Sequence, residues 1–353
     1  MDPVLLKAVI ALAPVLVCLV VFERVDAFRL IGLREIGLLL LGGGVLAAIS
    51  YAANGSVLDQ FPLRQDIYSQ VVAPVVEESM KAGLLIALFA FNRFGYLIDA
   101  AIAGFAIGAG FSVVENMFYL HEFTQASLGV WLVRGFGTAI MHGGAAAIMA
   151  VLSQVLYAPR LRIDADRFRF NLVLFLPGLA AAMALHAGFN HFTGAPLTAM
   201  AVVLLAVPLG LFVIFALGER YAHRWLAENR QAHGKLLDDI ESGAFAASNN
   251  GRALQALADR LGPDGAKDLF DYVQLNADLV VRAETNLLAL EEHEVVAFRD
   301  DVRERFHRLH ALERRLGMSP VMAVRQHLHF SRNDLWEMHE LEIHAPGRTG
   351  RPA

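Results

Sequence analysis

Apolar runs of close to 20 residues recur along the first 218 positions of this chain and then stop. A helix needs roughly 20 consecutive apolar residues to cross the hydrocarbon core of a bilayer. The runs predict spanning helices at about 3–22, 35–53, 70–92, 98–120, 130–157, 170–192 and 197–217. With 56% hydrophobic residues and a mean hydropathy of +0.46, the chain is too apolar for an ordinary soluble protein. Residues 219–353, by contrast, are charged and read as soluble. The expected fold class is all-α: a polytopic membrane helix bundle of about seven spans over 1–218, a helical soluble domain over 219–345, and a disordered tail over 346–353.

The rest of the composition narrows the function classes. Cys18 is the only cysteine, so no disulfide forms within the chain and no Cys-based metal site exists. A net charge of −5 gives no sign of nucleic-acid binding. The first apolar run follows Met1-Asp2-Pro3 without a basic n-region or a clear A-x-A site, and reads as a retained helix. Basic residues fall in alternate loops: Arg24, Arg29 and Arg34; then Arg93; then Arg160, Arg162, Arg167 and Arg169; then Arg220, Arg224 and Arg230. The positive-inside rule puts those loops on the cytoplasmic side. The N-terminus is then outside and the C-terminal domain cytoplasmic, in a bacterial-type inner (plasma) membrane.

The C-terminal part shows helical periodicity at 254–261, 269–290 and 295–316, with loop signals at Ser248-Asn-Asn-Gly251 and Gly262-Pro-Asp-Gly265. Its histidines, such as His307, His310, His327, His329 and His339, sit among charged residues and read as surface groups. No motif there points to chemistry.

The bundle is different, because charged side chains in hydrocarbon are costly and tend to be kept where they act. Glu77, Glu78 and Lys81 interrupt the third run. At 1.5 Å per residue the two glutamates lie about 11 Å into the membrane from the outer face. Glu115 and Asn116 fall near the outer end of the fourth span, Arg134 in the first turns of the fifth with His142 nearer its middle, and His186, Asn190 and His191 in the outer part of the sixth. Four helices thus bring polar groups to one depth. Glu77 and Glu78 lie four and three residues before Lys81, both within reach on a helix. Consecutive residues differ by about 100° around the axis, so one carboxylate pairs with Lys81 while the other points elsewhere. Arg134, Thr138 and His142 form one stripe, and His186 and Asn190 another. Arg134 reads mainly as structural, pairing with Glu115 or snorkelling outward, and Pro74 is placed to kink the helix before the glutamate pair. Gly104 and Gly108 have the spacing that lets membrane helices approach closely.

A buried carboxylate can serve as a general base, a neutral histidine can shuttle a proton, and an asparagine amide can donate to an oxyanion. Those are the parts of a hydrolase. His142, His186 and Glu78 are alternatively three ligands for zinc with water in the open position; the helical H-E-x-x-H zinc motif is absent. The cofactor is therefore none or zinc. Two other readings are a proton- or solute-coupled transporter, and a receptor or scaffold working through its C-terminal domain. No internal repeat of the transporter kind is evident.

These motifs together resemble the PrsW family of intramembrane proteases, within the larger group of CAAX prenyl proteases and Abi proteins. Glu77-Glu78-x-x-Lys81 resembles the first motif, Phe111-Ser-Val-Val-Glu115-Asn116 the second, His142 followed by Gly143-Gly144-Ala145 the third, and His186-x-x-x-Asn190 the last. The relatives usually carry an arginine one residue later than Lys81. The resemblance covers about 30–217 and not the C-terminal part. It implies hydrolysis of a peptide bond in a membrane-anchored protein, of the anti-sigma-factor type, near the outer face of the bilayer. It also implies catalytic roles for Glu77, Glu78, Lys81, Glu115, Asn116, His142, His186 and Asn190. The expected partners are that substrate and the lipid bilayer, with no nucleic acid, and with a homo-oligomer or regulator engaged through the C-terminal part.

Overall fold

The structure is a computed structural model that describes residues 3–26, 31–61, 63–161, 169–291 and 301–345. The described residues are helical, with no strand among them. The chain divides into two compact units, Met1–Ala158 with Phe170–Glu219, and Pro159–Arg169 with Arg220–Ala353. The expected tail at 346–353 lies outside the described residues.

In the first unit α1 (Pro3–Val25) precedes α2 (Leu33–Gln60), whose first turn is closed by Glu35 Oε2 accepting from Gly32 N at 3.1 Å. A short turn, α3 (Gln65–Ile67), runs through a π-helical turn (Tyr68–Val72) into α4 (Ala73–Ala90). Pro74, in the first turn of α4, has no N–H to return to the carbonyl of Gln70, so the usual four-residue ladder is broken where the π-turn sits. Next comes α5 (Leu97–Glu122), started by Asp99, which accepts from Tyr96 N at 2.9 Å and Gly95 N at 3.3 Å. Then α6 (Leu128–Val133) passes through a second π-helical turn (Arg134–Thr138) into α7 (Ala139–Leu161). A 3-10 turn (Leu172–Phe175) opens α8 (Leu176–His191), and α9 (Pro196–Glu241) follows.

Six of these segments are long and apolar enough to cross a membrane: Val4–Val25, Leu33–Gln60, Leu97–Glu122, Leu128–Arg160, Leu172–His191 and Pro196–Glu241. The seventh expected span is α4 with the turns before it, set apart by three charged side chains. The protein is a membrane protein, and its bundle is arranged around α5. From Ile98 to Ser112 every residue of α5 is buried, because Ala and Gly at so many positions let neighbours close in on all sides. A Cβ on Gly110 would lie 2.0 Å from Leu40 O, and one on Gly43 2.0 Å from Ile107 O, so α2 and α5 meet backbone to backbone. Large apolar side chains such as Val17, Leu41, Leu205, Leu209 and Phe212 point outward, as a lipid-facing surface requires.

The second unit has its own core. After Glu219 it takes up the remainder of α9, then a 3-10 turn (Ala244–Ala247) and α10 (Asn249–Glu291), which Ser248 caps by accepting from Gly251 N at 2.9 Å. Gly262, at φ 74°, kinks α10 just before Pro263. α11 (Asp301–Leu316), α12 (Met318–Leu328) and α13 (Arg332–His344) complete it. Leu254, Leu269, Tyr272, Leu279, Phe306, Leu312 and Leu341 are among the core side chains.

Candidate active site

The polar residues of the bundle form one connected network. On α4, Glu78 and Lys81 are three residues apart and completely buried, with Lys81 Nζ donating to Glu78 Oε1 at 2.7 Å. A buried ammonium must fill its donors. Lys81 also donates to His142 Nδ1 on α7 at 2.8 Å and lies 4.2 Å from the Phe111 ring centroid of α5. With Nδ1 accepting, His142 Nε2 carries the proton and donates to Glu115 Oε2 on α5 at 3.0 Å. Glu115 in turn meets Arg134 of the second π-turn at 3.2 Å. Arg134 is further fixed by donating from Nε to Asn116 Oδ1 at 2.8 Å and by stacking 3.6 Å from the Tyr119 ring centroid.

The other end of the network is α8. His186 Nδ1 donates to Glu78 Oε1 at 2.8 Å, and its ring stands edge-on to His142 at 4.7 Å between centroids. The Nε2 of His186 is left as an acceptor, and it faces Glu77 Oε2 at 4.0 Å. Glu77 Oε2 is buried and has no hydrogen-bond partner, whereas its Oε1 accepts from Asn54 Nδ2 of α2 at 3.4 Å. Two acceptors thus face one another across a short gap, an arrangement that a bridging donor or a cation completes.

The two glutamates therefore differ as the sequence suggested. Glu78 is the one tied to Lys81, and Glu77 is the one directed elsewhere. Of the eight residues expected to act together, Glu77, Glu78, Lys81, Glu115, His142 and His186 are brought together. Asn116 is linked to them only through Arg134, and Asn190 bonds elsewhere. Asn116 is buried and donates to Ala11 O at 2.8 Å, which ties α5 to α1. Asn190 donates to Ser69 O at 2.8 Å, which ties α8 to the first π-turn. Their amide donors are spent on backbone carbonyls. Arg134 pairs with Glu115 as read from the sequence. Asn54 was not singled out in the sequence; its signal was one amide in the otherwise small and apolar stretch Ala52-Ala53-Asn54-Gly55.

The sequence pointed to His142, His186 and Glu78 as zinc ligands. Among the described residues of the bundle, the three donors that lie within 4.8 Å of one another are Glu77, His142 and His186. Both oxygen and nitrogen types suit zinc. Glu77 Oε2 and His186 Nε2 are open, and His142 would exchange Lys81 or Glu115 for the ion.

Carboxylates, imidazoles and compensating cations buried together among apolar helices are groups that a hydrolase can use. A family model described as PrsW family intramembrane metalloprotease matches residues 35–217, just over half of the 353-residue chain. The chain belongs to that family of intramembrane proteases. No curated protein and no solved structure matches it.

Proposed function

We infer that Glu77 is the general base of a peptide hydrolase and that His186 carries its proton. The supporting observation is the buried Glu77 Oε2, without a hydrogen-bond partner and 4.0 Å from the acceptor nitrogen of His186. A water donating to Glu77 is deprotonated as its oxygen attacks the scissile carbonyl carbon. The tetrahedral intermediate collapses when the amide C–N bond breaks and the amine leaves with a proton from His186, which Glu77 has passed on. In the imidazolium form His186 keeps its Nδ1–H on Glu78, whose carboxylate balances the new charge. Lys81 balances Glu78 in turn, and His142, Glu115 and Arg134 hold Lys81 in place. Asn54 fixes the rotamer of Glu77, while Asn116 and Asn190 position helices.

If the protein takes zinc, Glu77, His142 and His186 hold it, and its Lewis acidity polarises the carbonyl or the water. The substrate is a membrane-anchored protein of the anti-sigma-factor kind, cut near the outer face, with the N-terminus outside and the C-terminal unit cytoplasmic. The convergence of polar groups in the outer part of spans read by the basic-loop rule supports that side.

The test uses a single-span reporter in proteoliposomes. Glu77→Gln, Glu78→Gln and His186→Ala each abolish cleavage while the folded protein is retained on size exclusion. Full activity in Glu77→Gln removes the base from this scheme. Elemental analysis together with chelator sensitivity of cleavage decides between zinc and glutamate alone.

A further inference from the structure

The second unit contains a side-chain cluster built like the heart of the catalytic network. His233 on α9 has Nδ1 2.7 Å from Glu284 Oε1 of α10, and Nε2 3.9 Å from Asp334 Oδ2 of α13. In the bundle the corresponding distances are 2.8 Å from His186 to Glu78 and 4.0 Å from His186 to Glu77. In both places one carboxylate fixes the tautomer, and the free nitrogen faces a second carboxylate.

Three observations make this more than an ion pair. Glu284 is fully buried, Asp334 is 3% exposed at its side chain and His233 16%. Glu284 Oε2 is buried without a hydrogen-bond partner. One ligand atom from each of His233, Glu284 and Asp334 lies within 4.8 Å of the others. Zinc bonds of about 2.0–2.2 Å in a tetrahedron put neighbouring ligand atoms roughly 3.3 Å apart, so shifts of about 1.5 Å or less from separations within 4.8 Å close the site. Further polar contacts hold the frame: Ser331 N donates to Asp334 Oδ2 at 2.7 Å, and Asn229 Nδ2 lies 3.5 Å from Asp334 Oδ1.

We propose that His233, Glu284 and Asp334 form a divalent transition-metal site that clamps α9, α10 and α13 of the C-terminal unit together. Mixed imidazole and carboxylate donors suit zinc, manganese, iron or nickel and not calcium or magnesium. Glu284 either ligates directly or acts through the ring, as carboxylates behind metal-bound histidines commonly do.

Zinc is the probe, and the full-length protein in detergent is the sample. The bundle's own donors are removed first with Glu77→Gln/His186→Ala, so that this site is read separately from the catalytic one. In that background, zinc titration of metal-stripped protein gives one equivalent per chain. Adding His233→Gln removes it, and adding the near-isosteric Glu284→Gln weakens it at least about tenfold. Cobalt in the same background gives visible d–d absorption that His233→Gln abolishes. No zinc in the Glu77→Gln/His186→Ala protein, or an undiminished equivalent after both added substitutions, overturns the proposal. If His233→Gln fails to fold, the Glu284→Gln titration decides.

Discussion

Replacing Gly108 by alanine tests whether the catalytic network depends on backbone contact between α5 and α7. A Cβ at position 108 would lie 2.1 Å from His142 O, 2.6 Å from its carbonyl carbon and 2.8 Å from Gly143 Cα. These are backbone atoms, so no side chain can turn away. Ordinary contact begins at 3.4 Å, which requires the helices to part by about 1.3 Å. The residue that is pushed is His142 itself, whose Nε2 donates to Glu115 at 3.0 Å and whose Nδ1 accepts from Lys81 at 2.8 Å. A displacement of that size takes either bond beyond the ~3.2 Å limit of a sound hydrogen bond. Overpacking of this kind destabilises by about 1–3 kcal/mol. Misplacement of a catalytic group by about 1 Å lowers turnover about 100-fold. The assay is reporter cleavage in proteoliposomes beside thermal unfolding in detergent. Gly83→Ala is the control, since nothing lies within 4 Å of a Cβ there and the position is exposed. Wild-type turnover in Gly108→Ala would show that the network tolerates separation of these helices, and the geometric argument would fail.

Three other outcomes are expected. Asn54→Ala removes the donor to Glu77 Oε1 and lowers kcat about tenfold, the worth of one hydrogen bond of ~1.4 kcal/mol, with the unfolding midpoint little changed; an unaltered kcat shows that Glu77 is held by other means. Arg134→Ala leaves Glu115 paired with His142 alone and empties the Tyr119 face, costing about 3 kcal/mol, and Arg134→Lys restores only part of it because a lysine lacks the forked donors that reach both Glu115 and Asn116; equal stability of the lysine variant and wild type on thermal unfolding contradicts this. In the second unit, a hydrogen bond to Glu342, with Glu313 adding to it, raises the pKa of His310 above its ordinary value. Such a group stabilises fully below the unfolded pKa of about 6.5 and loses that contribution as pH rises through the raised one. Amide exchange in 301–316 is therefore faster in His310→Gln than in wild type at acidic pH, and the gap closes on the alkaline side; a gap that widens with pH is the opposite sign and rejects it.

Hydropathy makes the helices legible because a bilayer demands an unbroken apolar length, and six of the spans meet that demand directly. The same signal ends too early for α9, which continues to Glu241, since hydropathy reads the edge of the hydrocarbon and not the end of a helix. Common depth gathered Glu77, Glu78, Lys81, Glu115, His142 and His186, which are in contact in the structure, because a costly charge must find its partners at its own level. Depth and spacing did not separate Asn190 from His186. They share a face, yet one further turn of helix brings Asn190 against Ser69 O and away from the glutamates. Which glutamate pairs with Lys81 and which points elsewhere turned on rotation about α4, which neighbouring positions in a sequence cannot assign. His233, Glu284 and Asp334 are about 50 residues apart each in sequence, so only the packing of three helices brings them together.

The two π-turns change what a helix wheel means in this bundle. Each accommodates one extra residue, so the face presented before the turn and the face presented after it are out of phase by about 100°. At Tyr68–Val72 that offset lies directly before Glu77, and at Arg134–Thr138 it lies directly before His142. Each helix thus reads one set of neighbours along its entry and another along its polar stretch. Within these two helices the chain behaves as though a single residue had been inserted to re-aim the polar side chains that follow.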